Sequence, residues 1–177
     1  TTLFRSPIVF THHTLYERYT HYVPLDSKVM KELVVDLAVK YCDLVDHVIA
    51  PSRSVLDYLR DLGVESPIHE IPTGVDVDFF HGGNRKAARN RYGIGPDAFL
   101  IGHVGRLSKE KNLEFLSRAT ARAMQADDQA HLLVVGDGND RTELESIFRE
   151  AGLGDRTRFT GSLTGRDLID AYAAMDV

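Results

Sequence analysis

The stretch Ile101-Gly102-His103-Val104-Gly105-Arg106-Leu107-Ser108-Lys109-Glu110-Lys111-Asn112 decides how this chain is read. It runs from an apolar segment through a glycine turn to an arginine and then a lysine, where a helix should begin. The pattern predicts a strand over Phe99 to Val104 and a helix from Asn112 to about Met124. A helix start presents unpaired backbone N–H groups and the positive end of its dipole, which together favour an anion. Arg106 can clasp a phosphate with a planar fork, while Lys111 adds a mobile point charge. The ligand expected there is a diphosphate. The plainer alternative is a pair of solvated charges at a helix entrance, and spacing alone leaves both open.

The alternation of short β-rich runs and longer helical runs extends outward in both directions. On the N-terminal side, Pro7 to Thr11 reads as a buried strand, followed by a polar aromatic loop from His12 to Pro24. Asp26 caps a helix running to about Val45, with Val29, Leu33, Leu37, Tyr41 and Leu44 at helical spacing. A strand over His47 to Ala50, a helix opened by Pro51-Ser52 and stopped at Gly63, and a strand over Ile68 to Ile71 follow. Pro72-Thr73-Gly74-Val75-Asp76 then breaks the pattern, with an irregular stretch through Gly83.

Beyond it the alternation restarts with a short helix from Arg85 to Tyr92 ahead of the strand ending at Val104. After the central helix come a strand over His131 to Val135, a helix from Arg141 to Ala151, a strand around Arg158 to Thr160 and a helix from Thr164 to Met175. Repeated βα units imply parallel sheets covered by helices on both faces. The expected class is α/β: the back half of one domain joined to the front half of another. Ala174-Met175-Asp176-Val177 stops where a further strand should start, so both ends read as internal to a larger protein. Two such partial sheets should expose apolar edges and favour association.

Composition narrows the classes. The 177 residues are 43% hydrophobic and 27% charged, an ordinary soluble globular balance. A formal net charge of -5 argues against a nucleic-acid binder held mainly by electrostatics. Cys42 stands alone, so there is no internal disulfide framework and no cysteine metal cluster, which fits a reducing, cytoplasmic setting. No apolar run approaches the roughly 18 residues of a membrane span. Any membrane contact would be peripheral.

Several short motifs share one order. They are Thr11-His12-His13-Thr14, Ala50-Pro51-Ser52, Ile71-Pro72-Thr73-Gly74-Val75-Asp76, Gly105-Arg106-Leu107-Ser108-Lys109-Glu110-Lys111, Val135-Gly136-Asp137-Gly138 and Phe159-Thr160-Gly161. Together they resemble the retaining glycosyltransferases of family 4, which have the GT-B fold, and the resemblance runs across nearly the whole chain. It implies two Rossmann-like domains facing across a cleft, here residues 1–73 as part of the N-terminal acceptor domain, 74–83 as linker and 84–177 as part of the C-terminal donor domain. It implies transfer of a hexose from a nucleotide diphosphate sugar to an acceptor hydroxyl.

In such enzymes Arg106 and Lys111 would hold the donor diphosphate and stabilise it as it leaves, since preorganised cations lower the barrier where negative charge develops. No metal cofactor is then needed. Asp76-Val77-Asp78 superficially matches a DxD metal motif, but its context favours Asp76 turning the linker, with Phe79 and Phe80 burying against the second domain. Asp137-Gly138-Asn139-Asp140 hints at a calcium loop but lacks the later glutamate. Gly136 and Gly138 read alone as a tight strand-to-helix turn, whereas the resemblance puts this loop near the nucleotide, with Gly161, Ser162 and Leu163 closing over the base.

Adjacent histidines on a strand point to different sides, so His12 and His13 make a poor metal pair. The default is a satisfied strand-end histidine. The resemblance instead places His13 in the cleft beside the transferred sugar, positioning substrate. Ser52 reads as a helix cap and His103 as structural. Two family features are absent from these residues: the early glycine loop and the Glu-x7-Glu segment expected beyond Val177. The chain is therefore expected to hold half a catalytic cleft and to be inactive alone.

The loop Leu15 to Pro24 packs Tyr16, Tyr19, Tyr22 and His21 among charges. It suits sugar stacking or an interface. It is similar to the loop of glycolipid-forming members, including diacylglycerol glucosyltransferases, which implies a lipid-linked acceptor and peripheral contact with the inner membrane face. An ordinary interdomain packing loop is the other option. The nucleotide, the sugar and the oligomeric state stay unassigned. A nucleotide-sugar 2-epimerase, disfavoured by the Arg106-to-Lys111 spacing, and a non-catalytic binding fragment are the competing readings.

Overall fold

A computed structural model describes residues 6–13 and 28–177, and the chain divides into two units, Thr1–Val75 and Asp76–Val177. The expected cap Asp26, together with Thr14, Tyr16, Tyr19 and Tyr22, lies outside the described residues.

The first unit holds a parallel sheet of β1 (Val9–Thr11), β2 (His47–Ala50) and β3 (Ile68–Glu70), in that order. Val9 pairs with His47 and Val48 with Ile68. Helices α1 (Lys28–Asp43) and α2 (Arg53–Asp61) connect the strands. Side chains alternate across a strand. Phe10, Val48 and Ile68 therefore share one face and pack with Cys42, Val45, Leu59 and Val64, while Val9 and His47 face the other way and are exposed. Ser52 caps α2 as expected, its side chain accepting from the Val55 N–H.

The apolar stripe expected of α1 does form, but on the outside. Val29, Leu37 and Leu44 are 73%, 57% and 70% exposed. The helix is apolar on two sides, and the side carrying Val39 and Cys42 takes the sheet. Period alone marks a stripe without saying which of two stripes meets the sheet.

The second unit repeats the arrangement with both faces covered. Its sheet is β4 (Phe99–Val104), β5 (Ala130–Val135) and β6 (Thr157–Gly161), parallel and in that order. Around it lie α3 (Val77–His81), α4 (Arg85–Tyr92), α5 (Leu113–Ala126), α6 (Arg141–Glu150) and α7 (Gly165–Ala174). Leu132 and Val134 pack with Met124, Leu144 and Phe148 on one face. Leu100 and Leu133 pack with Ala88, Ala171 and Ala174 on the other. Each fully buried Leu or Phe of this kind is worth about 1.5–3 kcal/mol relative to exposure.

The far edge of β4 is also occupied. The Asp176 N–H donates to the Leu100 carbonyl at 2.8 Å and the Gly102 N–H to the Val177 carbonyl at 2.7 Å. The chain after α7 thus returns to the side of β4 opposite β5, so the strand direction of growth switches at β4. Arg89, only 4% exposed, fixes this return: it donates to the carbonyls of Gly95, Pro96, Ala98 and Ala174 and to the Asp176 carboxylate at 2.7 Å.

The stretch expected to be irregular between Gly74 and Gly83 contains α3. Asp76 caps it, its carboxylate accepting from the Phe79 N–H at 3.0 Å. An N-cap signal was present in the sequence but was overshadowed by the glycines around it. Phe80 meets Tyr172 of α7 edge-on, with ring centres 5.5 Å apart. Phe79, expected to bury with it, is instead 48% exposed, because a single short helical turn can aim only one of two adjacent side chains at α7.

Candidate functional site

In open parallel sheets ligands sit beyond the carboxyl ends of the strands, where the order of growth reverses. In the second unit that place is the end of β4, which has β5 on one side and the returning chain at Asp176 and Val177 on the other. Three loops meet there through their backbones. The Gly105 N–H donates to the Val135 carbonyl and the Leu107 N–H to the Asp137 carbonyl, both at 2.9 Å. The Asp140 N–H returns to the Leu107 carbonyl at 3.1 Å, and the Gly136 N–H reaches the Gly161 carbonyl at 2.8 Å.

This packing explains two glycines. A Cβ on Gly136, whose φ is +137°, would lie 1.9 Å from the Gly105 carbonyl oxygen. One on Gly138 would lie 2.2 Å from the Leu107 oxygen. Only glycine lets the β5 loop run against the β4 loop this closely. The structure therefore brings together Gly105, Gly136, Gly138 and Gly161. Ser162 is exposed beyond them, while Leu163 turns its side chain back into the core beside Leu100 and Leu133.

Arg106 projects from the first loop, 68% exposed, with the Glu110 carboxylate no nearer than 3.8 Å. Glu110 is itself held by the Ser108 hydroxyl at 2.6 Å. Lys111 is exposed and ends a 3₁₀ turn, Lys109–Lys111. The sequence pattern placed Lys111 directly at the mouth of a helix starting with Asn112. Lys111 does stand directly before α5, whose N-cap is Asn112, but that cap adopts a left-handed conformation (φ 50°, ψ 47°) at the end of the 3₁₀ turn. Asparagine tolerates that region better than most side chains, which a helix-period count does not register.

His103 lies beneath this loop on β4, with its Nε2 3.7 Å from where a Gly105 Cβ would stand. Burial pushes its imidazole below the ordinary value, and the Lys111 charge pushes it further. Sequence reasoning read His103 as structural and missed Arg141, the first residue of α6. Its Nε donates to Glu145 at 2.8 Å, and a terminal nitrogen lies 3.5 Å from Asp137. The signal available was its position directly after Asp137-Gly138-Asn139-Asp140.

In the first unit, β1 ends at Thr11, leaving His12 buried and His13 exposed. The two histidines do point to opposite sides. No group of three or more His, Cys, Asp or Glu able to hold a metal occurs among the described residues.

Comparison with known proteins gives a consistent picture. Residues 2–79 match the family model described as Glycosyltransferase Family 4, and residues 84–177 match that of Glycosyl transferases group 1. The alpha-monoglucosyldiacylglycerol synthase of Streptococcus pneumoniae is 30% identical, over 97% of this chain and 40% of that protein. A GDP-mannose-dependent alpha-mannosyltransferase of Mycobacterium tuberculosis is 34% identical, over 76% of this chain and 32% of that protein. Among solved structures, sucrose-phosphate synthase from Thermosynechococcus elongatus aligns with a TM-score of 0.74 and 26% identity, over 95% of this chain and 42% of that one. Anabaena HepE, solved with UDP and glucose, also aligns at 0.74, with 23% identity over 96% of this chain and 45% of that one. The fold is of the GT-B type. The 177 residues span less than half the length of the relatives they match.

Proposed function

The chain belongs to the glycosyl transferases group 1 family, and from that premise we propose that its parent is a retaining hexosyltransferase acting from a nucleotide diphosphate sugar. The observation that carries the reading is the closure of three glycine loops at the switch point of β4, with an exposed Arg106 on the first of them, paired only loosely with Glu110 at 3.8 Å. Arg106 and Lys111 take the donor diphosphate. As the sugar–phosphate bond breaks, charge builds on the leaving group, and fixed cations stabilise that charge more than they stabilise the ground state. The reaction in this reading needs no metal. Gly136, Gly138 and the Gly161-Ser162-Leu163 segment line the nucleotide, and His13 positions the transferred sugar.

The acceptor is a sugar or a lipid-linked hydroxyl, contacted by Tyr16, Tyr19 and Tyr22. A glycolipid acceptor is supported by the names of the diacylglycerol-glucosylating relatives in Streptococcus pneumoniae and Acholeplasma laidlawii. It would put the parent at the inner face of the membrane by peripheral contact; no helix among the described residues is long and apolar enough to cross one. The 177 residues contain the donor loops and are proposed to bind nucleotide without transferring sugar by themselves. The 2-epimerase reading is not favoured, because the matching family model is one of glycosyl transferases and the Mycobacterium tuberculosis relative is named a mannosyltransferase.

The test is steady-state kinetics of the full-length parent with Arg106→Ala and Lys111→Ala. Each lost contact should cost on the order of 2–4 kcal/mol in kcat/KM for the donor. Melting temperature should stay close to wild type, since both side chains are exposed. Wild-type kinetics in either variant would remove that residue from the site.

A further inference from the structure

We infer that Arg141 is the nucleobase-facing residue of the donor site. The inference rests on the nucleotide reading above and adds to it a residue and a direction, because it says which end of the nucleotide lies beside α6.

Three placements carry it. Arg141 stands between two of the closing loops: its backbone N–H donates to the Gly138 carbonyl at 3.2 Å, and its guanidinium is the nearest group to the open side of Gly161, 3.6 Å from where a Cβ would be. Gly161 has a φ of +73° and carries no side chain, and among the described residues, its chain neighbours aside, Arg141 is the one group within 4 Å of its Cβ position. The guanidinium is also already neutralised. Glu145 accepts from Nε at 2.8 Å and Asp137 lies 3.5 Å from a terminal nitrogen.

The degree of charge compensation separates Arg141 from Arg106. Arg106 is 68% exposed and meets one carboxylate, Glu110, loosely at 3.8 Å, which leaves it more able to take a phosphate than Arg141 with its two carboxylates. Two carboxylates beside Arg141 would repel a diphosphate. They leave intact what a base uses: a flat, weakly hydrated plane for stacking and spare N–H donors for ring oxygens or nitrogens. The side chain is 34% exposed, so part of it stays within reach of a ligand.

The experiment is calorimetric titration of the full-length parent with UDP, GDP and inorganic pyrophosphate, for wild type, Arg141→Ala, Arg141→Lys and Arg106→Ala. Arg141→Ala should weaken its preferred nucleoside diphosphate roughly tenfold, the size of one hydrogen bond from a charged donor, and leave pyrophosphate unchanged. Arg141→Lys keeps charge but loses the plane, so it should behave like the alanine variant, and unchanged pyrophosphate binding in both shows that the loss is not one of folding. Arg106→Ala should weaken all three ligands. Equal loss of nucleotide and pyrophosphate in Arg141→Ala, no loss of either, or full recovery in Arg141→Lys would overturn the assignment. An Arg106→Ala protein that binds all three ligands normally would instead overturn the diphosphate reading, whatever Arg141 does.

Discussion

Replacing Gly136 by alanine puts a methyl group 1.9 Å from the Gly105 carbonyl oxygen and 2.9 Å from its carbon. Neither neighbour is a flexible side-chain tip, so backbone must move. Forcing one extra carbon into a packed site costs about 1–3 kcal/mol. Holding a non-glycine residue at a φ of +137° adds about 1–3 kcal/mol of backbone strain. Moving the loops apart also weakens the Gly105-to-Val135 and Gly136-to-Gly161 hydrogen bonds, each worth about 1 kcal/mol. Partial relaxation makes these terms overlap, and a loss of about 3–5 kcal/mol is expected, a large share of the 5–15 kcal/mol typical of a domain. The assay is urea unfolding of the 177-residue chain followed by circular dichroism. Gly95→Ala is the control, because Gly95 has open space around its Cβ position and no positive φ, and it should fall within about 0.5 kcal/mol of wild type. A Gly136→Ala protein as stable as Gly95→Ala would refute the argument that the β4 and β5 loops close through backbone contact.

Arg89→Met removes the donor that holds four carbonyls and Asp176, and breaking such a buried pair should cost about 3–5 kcal/mol by the same unfolding assay; a loss under about 1 kcal/mol would mean the clamp is incidental. Acid should destabilise the chain in two windows. Burial holds His103 and His131 below their ordinary value, assisted by Lys111 at the first and by Arg156, Arg158 and Arg89 at the second, so stability is complete above the unfolded imidazole value of about 6.5 and falls below it. Burial alone would raise the Asp176 carboxyl, but the Leu100 N–H and the Arg85 and Arg89 guanidiniums hold it below its ordinary value. Its contribution is present above about pH 3.9 and is lost as pH falls through the lower folded value. A His103→Gln, His131→Gln double variant should lose the upper window in urea midpoints measured against pH, and an unchanged upper window would refute the cause. Asp76→Ala should cost about 1 kcal/mol through loss of the α3 cap, in chelator as without it; a loss that depends on added metal would contradict the capping role.

Much of this was legible from residues alone because periodicity reports on neighbours close in sequence. The strand Phe99–Val104 and the helix Arg85–Tyr92 have the bounds that pattern and caps suggested. The glycines after β5 signalled a close approach, although only the structure identifies the Gly105 and Leu107 carbonyls as what they approach. Where two local signals compete, sequence is a poorer guide. Asn112 could lie within a helix or turn the chain into one, and it does the second, capping α5 in a left-handed conformation with Lys111 just before it. The two apolar sides of α1 look alike until the sheet selects one. Arg89 and Arg141 look like ordinary surface arginines. Their partners, Asp176 for the first and the flank of Gly161 for the second, come from distant parts of the chain that only the fold brings close.

The reaction proposed for the parent, transfer of a hexose from a nucleotide diphosphate sugar with retention, relies on Arg106 and Lys111 in place of a metal. The most direct measurement is proton NMR of the anomeric centre of the product formed by the full-length parent from UDP-glucose or GDP-mannose, in the presence of EDTA. The expected result is an α-linked product from the α-linked donor, at a rate unchanged by chelator and lost in Arg106→Ala. A β-linked product, or turnover that stops in EDTA and returns only with manganese or magnesium, would contradict it.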